Sequence, residues 1–468
     1  MLFTSFPFIV FILTFFSIYF YLSKKKKIIF LVCSSFFFYG WWDYRFLFLL
    51  IFSILFDFYI GKLINNENIK KKKKKYLFLS IFLNLTVLSI FKYLNFFLEN
   101  FYYLLKKISI TNLNENFFNI ILPIGISFYT FQKLSYIFDL YKNKCKVEKN
   151  LLNFTCYVSL FPQLIAGPIV RAKKLLPQLN KEQKPLFLDG LRLILWGFFL
   201  KLCLADTLSI FVDPCFENPN NFGSMALLLG SFFFSFQIYG DFAGYSLIAI
   251  GLGKLMGFDF GINFNSPYFA NSFRDFWKRW HISLSSWFKD YIYINLGGNK
   301  GSLIKRNRNV ILTMLLAGLW HGANITFIIW GLLHAVLIII QNLFEKYFYL
   351  KIKNKFFIVS KILIIFFIVN FLWILFRSNN IESAFFYIKK IFNSEISFYG
   401  TQPYVFFIYK GFLLIFLTMI VDYFVTFKKI KKKIINSKLL NYLFLLIILL
   451  SISIFGTFNE VPFIYFQF

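Results

Sequence analysis

Residues 224–256 read SMALLLGSFFFSFQIYGDFAGYSLIAIGLGKLM, a run of apolar and small residues interrupted by one acid, Asp241, and one base, Lys254. A helix needs about 20 apolar residues to cross the hydrocarbon core of a bilayer, and this run exceeds that length. Its middle is not plain lipid-facing helix. Gln237, Tyr239, Asp241, Tyr245 and Ser246 fall within ten positions of one another. A carboxylate at that depth needs a partner. Asp241 can orient a histidine or pair with Lys201 or Arg171, and pairing is the plainer reading.

The rest of the chain repeats the pattern. Of 468 residues, 58% are hydrophobic, 23% aromatic and 15% charged. A soluble domain is about 45–50% apolar and about 25% charged. The composition, with a mean hydropathy of +0.64, excludes an ordinary cytosolic globule, a disordered chain and a secreted disulfide scaffold. It predicts an all-α polytopic integral membrane protein. Eleven spans are expected: 2–22, 28–43, 45–63, 76–98, 117–138, 186–212, 224–256, 309–342, 356–376, 404–427 and 438–458. The stretch 309–342 reads equally as one broken helix or a hairpin. The first span lacks a basic leader and a cleavage site, so it reads as a retained helix.

The formal net charge of +30 would suggest nucleic acid in a soluble protein. Here the bases lie in short runs at 24–27, 70–75, 142–149, 171–184, 274–308 and 428–433. Basic loops mark the cytoplasmic side, and all six runs fall on one side of the expected topology. Residues 213–223 and 377–403, and both termini, fall on the other. No nucleic-acid partner is expected. Five scattered cysteines without a CxxC form neither a disulfide framework nor a metal site.

Two stretches depart from simple spans. Residues 151–170 are apolar but contain Pro162, Gly167 and Pro168, which suggests a re-entrant element. Residues 258–308 are too polar to span, yet hold Phe276, Trp277, Trp280, Trp287 and Tyr291, as interfacial helices do.

The chain has three histidines, His281, His321 and His334, all within a 54-residue window. His321 sits in LLAGLWHGAN (315–324), flanked by apolar spans. An ionisable group there is a functional-site candidate. A neutral buried imidazole suits a general base acting on a hydroxyl. Gly318 and Gly322 would admit a ligand or a second backbone. The plainer reading is a histidine hydrogen-bonded to a neighbouring helix and packed with Trp320. His281 lies in RDFWKRWHISLS (274–285), where an interfacial and a functional role are equally open. His334 reads as a packing or helix–helix residue. Ser127 and Gln132, in PIGISFYTFQ (123–132), read as cavity-lining or helix contacts. No HxxxH pair, nucleophile elbow or P-loop is present, so no metal site is expected.

Taken in order, PIGISFYTFQKLSYIFDLYK (123–142), FPQLIAGPIVR (161–171), FQIYGDFAGYS (236–246), FRDFWKRWHISLSSWFKDYIYINLGGNKG (273–301), LLAGLWHGAN (315–324) and PFIYFQF (462–468) resemble the membrane-bound O-acyltransferase family. The resemblance is strongest to its bacterial branch for alginate O-acetylation, peptidoglycan O-acetylation and teichoic-acid D-alanylation. Leu247, Asn295, Ile325 and Ala335 depart from that pattern, and none of these positions is a histidine. The resemblance implies about eleven transmembrane helices with re-entrant and interfacial helices in a ring around a central funnel. It implies one domain over 1–468, with 1–115 peripheral, 116–345 the catalytic core and 346–468 C-terminal helices. It implies that His321 is essential and that His281 is its partner, with Trp320 and Asn324 shaping the pocket. An acyl thioester such as acetyl-CoA would be the donor substrate, with no bound cofactor. The partners implied are membrane lipid, a periplasmic or membrane-anchored acetyltransferase and an extracytoplasmic polysaccharide, at the bacterial inner membrane. D-alanyl transfer, a glycan or lipid transporter and a scaffold subunit are the rival readings.

Overall fold

The computed structural model describes residues 1–108, 120–347, 354–393, 395–427, 438–458 and 461–466. Among them the protein is all-α, with no strand. Seven helices are long and apolar enough to cross a membrane, and Phe6–Tyr19 and Leu439–Phe455 are shorter apolar helices. The protein is a polytopic membrane protein, with fewer full-length spans among the described residues than the eleven expected. Four expected spans, 2–22, 28–43, 117–138 and 438–458, carry helices that are too short, and the stretch 309–342 supplies only one of the seven. The second expected span is a helix, Lys24–Gly40, whose first turn is the lysine run itself. Among the described residues, the fifth is helical over Ile126–Tyr141, where Pro123 precedes the helix and Gly125 caps it with φ 75°. The stretch 309–342 is two helices, not one. The basic run 428–433 and the last two residues of PFIYFQF lie outside the described residues.

The chain packs as two compact units: Met1, Ser5–Lys184 and Phe258–Phe260, and Leu2–Thr4, Pro185–Gly257 and Gly261–Phe468. The first unit contains α1 (Phe6–Tyr19), α2 (Lys24–Gly40), α3 (Arg45–Asn66), α4 (Lys70–Lys107), α5 (Ile126–Tyr141), α6 (Leu151–Ser159), α7 (Phe161–Ala166) and α8 (Ala172–Leu179). The stretch 151–170, expected to be re-entrant, forms two short helices, α6 and α7, meeting at Leu160, with Pro162 in the first turn of α7 and Gly167 after its end. Phe161 anchors it, with its ring 5.1–5.5 Å from those of Phe11, Phe15 and Phe38. An ion pair joins α5 to α3, Lys133 Nζ to Asp57 at 3.2 Å. Asn84 and Ser80 of α4 complete the pair's hydrogen bonds. A fully buried pair is tolerable when its remaining polar atoms are satisfied in this way.

The second unit holds α9 (Phe187–Phe198), a π-helical turn over Phe199–Ala205, α10 (Asp206–Glu217) and α11 (Ser224–Leu255). Short helices α12 (Phe273–Arg279) and α13 (Ile282–Phe288) follow, then α14 (Leu303–His321), α15 (Ile325–Tyr347), α16 (Lys355–Arg377), α17 (Ile381–Asn393), α18 (Val405–Phe427) and α19 (Lys438–Phe455). Helix α17 lies inside the segment read as the outer loop 377–403. That segment is tied to the other expected outer loop: Gly223 N–H donates to Tyr399 O at 2.9 Å, and Lys390 Nζ donates to Pro219 O at 2.8 Å.

Candidate active site

His321 is the last residue of α14. The helix stops there because Gly322 is extended and Asn324 caps α15, its Oδ1 accepting from Thr326 N–H at 3.0 Å. The Asn324 amide nitrogen also donates to Asn379 O, tying this break to the start of the next loop. Gly318 and Gly322 admit a second backbone and its side chain. A Cβ at Gly318 would collide with the carbonyl oxygen of Phe327, and one at Gly322 with the Phe327 ring. Helices α14 and α15 can therefore pack backbone to backbone, which places the α15 aromatics against His321.

The imidazole of His321 is buried in an aromatic shell. Ring centroids lie 5.0 Å away for Trp320, 5.2 Å for Trp330, 5.1 Å for Phe376 and 5.6 Å for Tyr465. Trp320 also meets His281, at 5.9 Å. The two histidines, forty positions apart in sequence, therefore flank one indole. Tyr465 closes a second side, with its ring 4.3 Å from Phe242, which is itself 4.6 Å from His281.

His281 sits in the turn between α12 and α13. Its backbone is left-handed, φ 40° and ψ 56°, a conformation that costs a non-glycine residue about 1–3 kcal/mol and concentrates at functional sites. Two bonds hold it there. Ile282 N–H donates to Asn263 O at 2.8 Å, and Ser285 N–H donates to His281 O at 3.0 Å. The Asn263 side chain then sets the ring. Its Oδ1 accepts from Ser283 N–H at 3.2 Å and from Ser283 Oγ at 2.8 Å, and lies 3.1 Å from His281 Nδ1. A backbone N–H can only donate, so the atom that accepts from it is the amide oxygen. Nδ1 of His281 must therefore carry the proton, which leaves the lone pair on Nε2. Burial pushes this imidazole down to about 3, so it is neutral at physiological pH.

Asp241 pairs with Lys201, not with a histidine or Arg171. Lys201 Nζ lies 2.7 Å from Asp241 Oδ1 and 2.7 Å from Asp206 Oδ1, all three groups being buried. Asp241 Oδ2 accepts from Ile464 N–H at 2.7 Å. This bond seats the chain segment that carries Tyr465. Lys201 lies in the π-helical turn, an irregularity that recurs at functional sites.

His334 is fully buried among rings, with Trp330 at 4.7 Å, Trp277 at 5.0 Å and Phe276 stacked at 6.1 Å. Neither ring nitrogen has a hydrogen-bond partner among the described residues. Gln132 and Ser127 belong to the first unit. Gln132 Nε2 donates to Tyr157 O at 2.5 Å and Tyr157 Oη donates back to Gln132 O at 2.9 Å, a clamp between α5 and α6. Ser127 is buried in the first turn of α5. No cluster that could hold a metal ion occurs among the described residues. Sequence reasoning missed Asn263, Trp330 and Phe376 as neighbours of the histidines. Trp330, four residues before His334, shares a helix face with it, but nothing in the spacing ties Asn263 or Phe376 to a histidine.

The sequence profile described as MBOAT, membrane-bound O-acyltransferase family, matches residues 146–385. The chain is 41% identical over 353 residues to a "Probable alginate O-acetylase AlgI" of Pseudomonas aeruginosa, covering 74% of this chain and 66% of that relative. It is 36% identical over 379 residues to a peptidoglycan O-acetyltransferase of Helicobacter pylori, covering 74% of this chain and 70% of the relative. A teichoic acid D-alanyltransferase of Bacillus subtilis is 31% identical over 49% of this chain. The chain spans just under two thirds, 66%, of the length of the alginate O-acetylase.

Proposed function

The chain belongs to the membrane-bound O-acyltransferase family, and from that premise we propose that it transfers an acetyl group from a thioester donor toward O-acetylation of an envelope polysaccharide. The observation that carries the reading is the pair of buried histidines on either side of Trp320, one with its tautomer set by Asn263. In this reading His321 is the general base. Its imidazole takes the proton of the acceptor hydroxyl as that oxygen attacks the thioester carbonyl. The C–O bond forms, the C–S bond breaks, and the imidazolium returns its proton to the thiolate that leaves.

The low proton affinity of His281 makes it a poor base, because base catalysis is best with a pKa near the working pH. Its role is to offer the Nε2 lone pair as a fixed hydrogen-bond acceptor. Trp320, Trp330 and Phe376 exclude water, which strengthens every polar contact at the reacting atoms. Asp241 acts at one remove, by seating the segment of Tyr465. The donor is a cytosolic thioester, acetyl-CoA in the simplest case. The outer segments described are loops and the short helix α17, so a periplasmic or membrane-anchored partner would complete transfer onto the sugar of a glycan outside a bacterial inner membrane.

D-alanyl transfer to a teichoic-acid-like polymer is the second reading, favoured by the D-alanyltransferase similarity over about half of the chain, 49%. The test is His321→Ala with membrane abundance matched to wild type, measuring acetate released from purified wall glycan by mild base. Loss of ester acetate is expected. Unchanged acetate from the variant would sink the reading and move attention to D-alanine esters.

A further inference from the structure

The turn that carries His281 is gripped by a second piece of chain. In the second unit, residues 263–266 run beside it as an irregular strap, buried at Asn263 and Ser266 and exposed at Asn265 between them. Asn265 N–H donates to Arg279 O at 3.0 Å, and Arg279 Nη1 donates back to Asn265 O at 3.2 Å. Together with the bond from Ile282 N–H to Asn263 O, these make the strap and the turn one piece. That piece meets the long helices at Ser266. The Ser266 hydroxyl donates to the main-chain oxygen of Asp422 in α18 at 3.3 Å, and the Asp422 carboxylate accepts from Tyr239 Oη of α11 at 2.9 Å. Ser266 is itself left-handed, φ 47° and ψ 63°. Ser266 and His281 are two of the three non-glycine residues with positive φ among the described residues. Such backbone persists where the surrounding contacts over-determine it.

We propose that Ser266 is a positioning residue for acyl transfer, fixing where His281 stands by tethering the strap to α18 at Asp422, an inference that rests on the acyl-transfer reading. The residue type carries part of the case. Glycine would take the left-handed conformation at less cost than serine, so the backbone gives no reason for a side chain here. The hydroxyl does: it donates to a carbonyl oxygen without bringing a charge into a buried place. Its path to the imidazole runs along the strap, from Ser266 to Asn263, whose Oδ1 lies 3.1 Å from His281 Nδ1. Phe264, between them in sequence, extends the same register into the ring packing. Its ring lies 5.0 Å from Phe242, 5.1 Å from Trp280 and 6.3 Å from His281. Trp320 and His321 belong to α14. For His281 to keep its place against Trp320, the strap must be fixed to the helices and not to the turn alone. A displacement of about 1 Å at a reacting group can cost about a hundredfold in rate, so one neutral hydrogen bond at this point has a large lever.

The test uses the full-length protein, in cells for ester acetate on the wall glycan and in lipid nanodiscs for nitrogen-15 NMR of its histidines. The chain has three imidazoles, and His281→Gln assigns the His281 signals by their loss. Ser266→Ala removes the hydroxyl. Ser266→Gly removes it while suiting the backbone, and carries the test if Ser266→Ala does not fold. With melting temperature and membrane abundance matched to wild type, each variant should move the His281 signals and leave those of His334 in place. Each should also lower ester acetate by at least about tenfold. In an Asn263→Ala background, Ser266→Gly should cost less than about twofold more, because its effect runs through Asn263. Three results would overturn the assignment: unmoved His281 signals, wild-type acetate in Ser266→Gly where His321→Ala abolishes it, or the full loss repeated on top of Asn263→Ala. Moved His281 signals together with unchanged ester acetate in His321→Ala would keep the tether and sink the proposed reaction.

Discussion

Replacing Asn263 by Asp changes one amide to a carboxylate without changing its shape. Asn263 Nδ2 has no partner among the described residues, so its removal costs no hydrogen bond, while Oδ1 keeps its place 3.1 Å from His281 Nδ1. What changes is the charge. At that separation, and an effective dielectric of about 20, a carboxylate and an imidazolium attract by about 5 kcal/mol. That is equivalent to about 4 pKa units at 1.36 kcal/mol each. Desolvation of the new carboxylate cancels part of this, leaving a rise of about 1–3 units, as is typical beside an opposite charge. From its starting value of about 3, His281 would then titrate at about 4–6. Initial rates of acetyl transfer, measured from about pH 4.5 to 8, read the change. The variant should match wild type at the alkaline end and lose activity as pH falls through the new pKa, because protonated Nε2 can no longer accept. The linked stability has a definite sign. His281 is depressed in the folded state, so its contribution is complete above the unfolded value of about 6.5 and is lost toward about 3 at about 1.4 kcal/mol per pH unit. Raising the folded pKa narrows that window, and the variant should lose less melting temperature on acidification. A pH–rate profile that superimposes on wild type would refute the assignment of a neutral, acceptor role to His281.

Two further outcomes follow from the packing. Lys201→Met leaves the Asp206 and Asp241 carboxylates buried without their shared cation and should cost about 3–5 kcal/mol. Thermal unfolding in detergent reads the loss, and adding Asp206→Asn and Asp241→Asn should recover much of it. Gly318→Ala places a methyl group against the Phe327 carbonyl and should cost about 1–3 kcal/mol by forcing α14 from α15. An unchanged melting temperature for that variant would mean the two helices can part without penalty.

The membrane class, the helical nature of the chain and most of the span positions are legible in composition and run length alone. Twenty apolar residues in a row leave the backbone no alternative to satisfying its own hydrogen bonds in a helix. His321 and His281 are equally visible as candidates, because an ionisable group is costly in an apolar setting wherever its partners lie. The sequence also names Lys201 as a possible partner of Asp241, since few charges occur in either run. Run length does not show where a helix yields. The break after His321, the late start of α5 at Ile126 and the presence of α17 depend on caps, glycine contacts and loop pairing between residues far apart in sequence. The tautomer of His281 is likewise decided by Asn263, eighteen positions earlier, through an oxygen that also accepts a backbone N–H. Trp320 comes to flank both histidines only because the turn before α13 and the end of α14 meet in space. A sequence states which side chains are costly to bury. Only the tertiary structure decides which atoms meet that cost, because hydrogen bonds and ring contacts act over a few ångströms and take no account of separation along the chain.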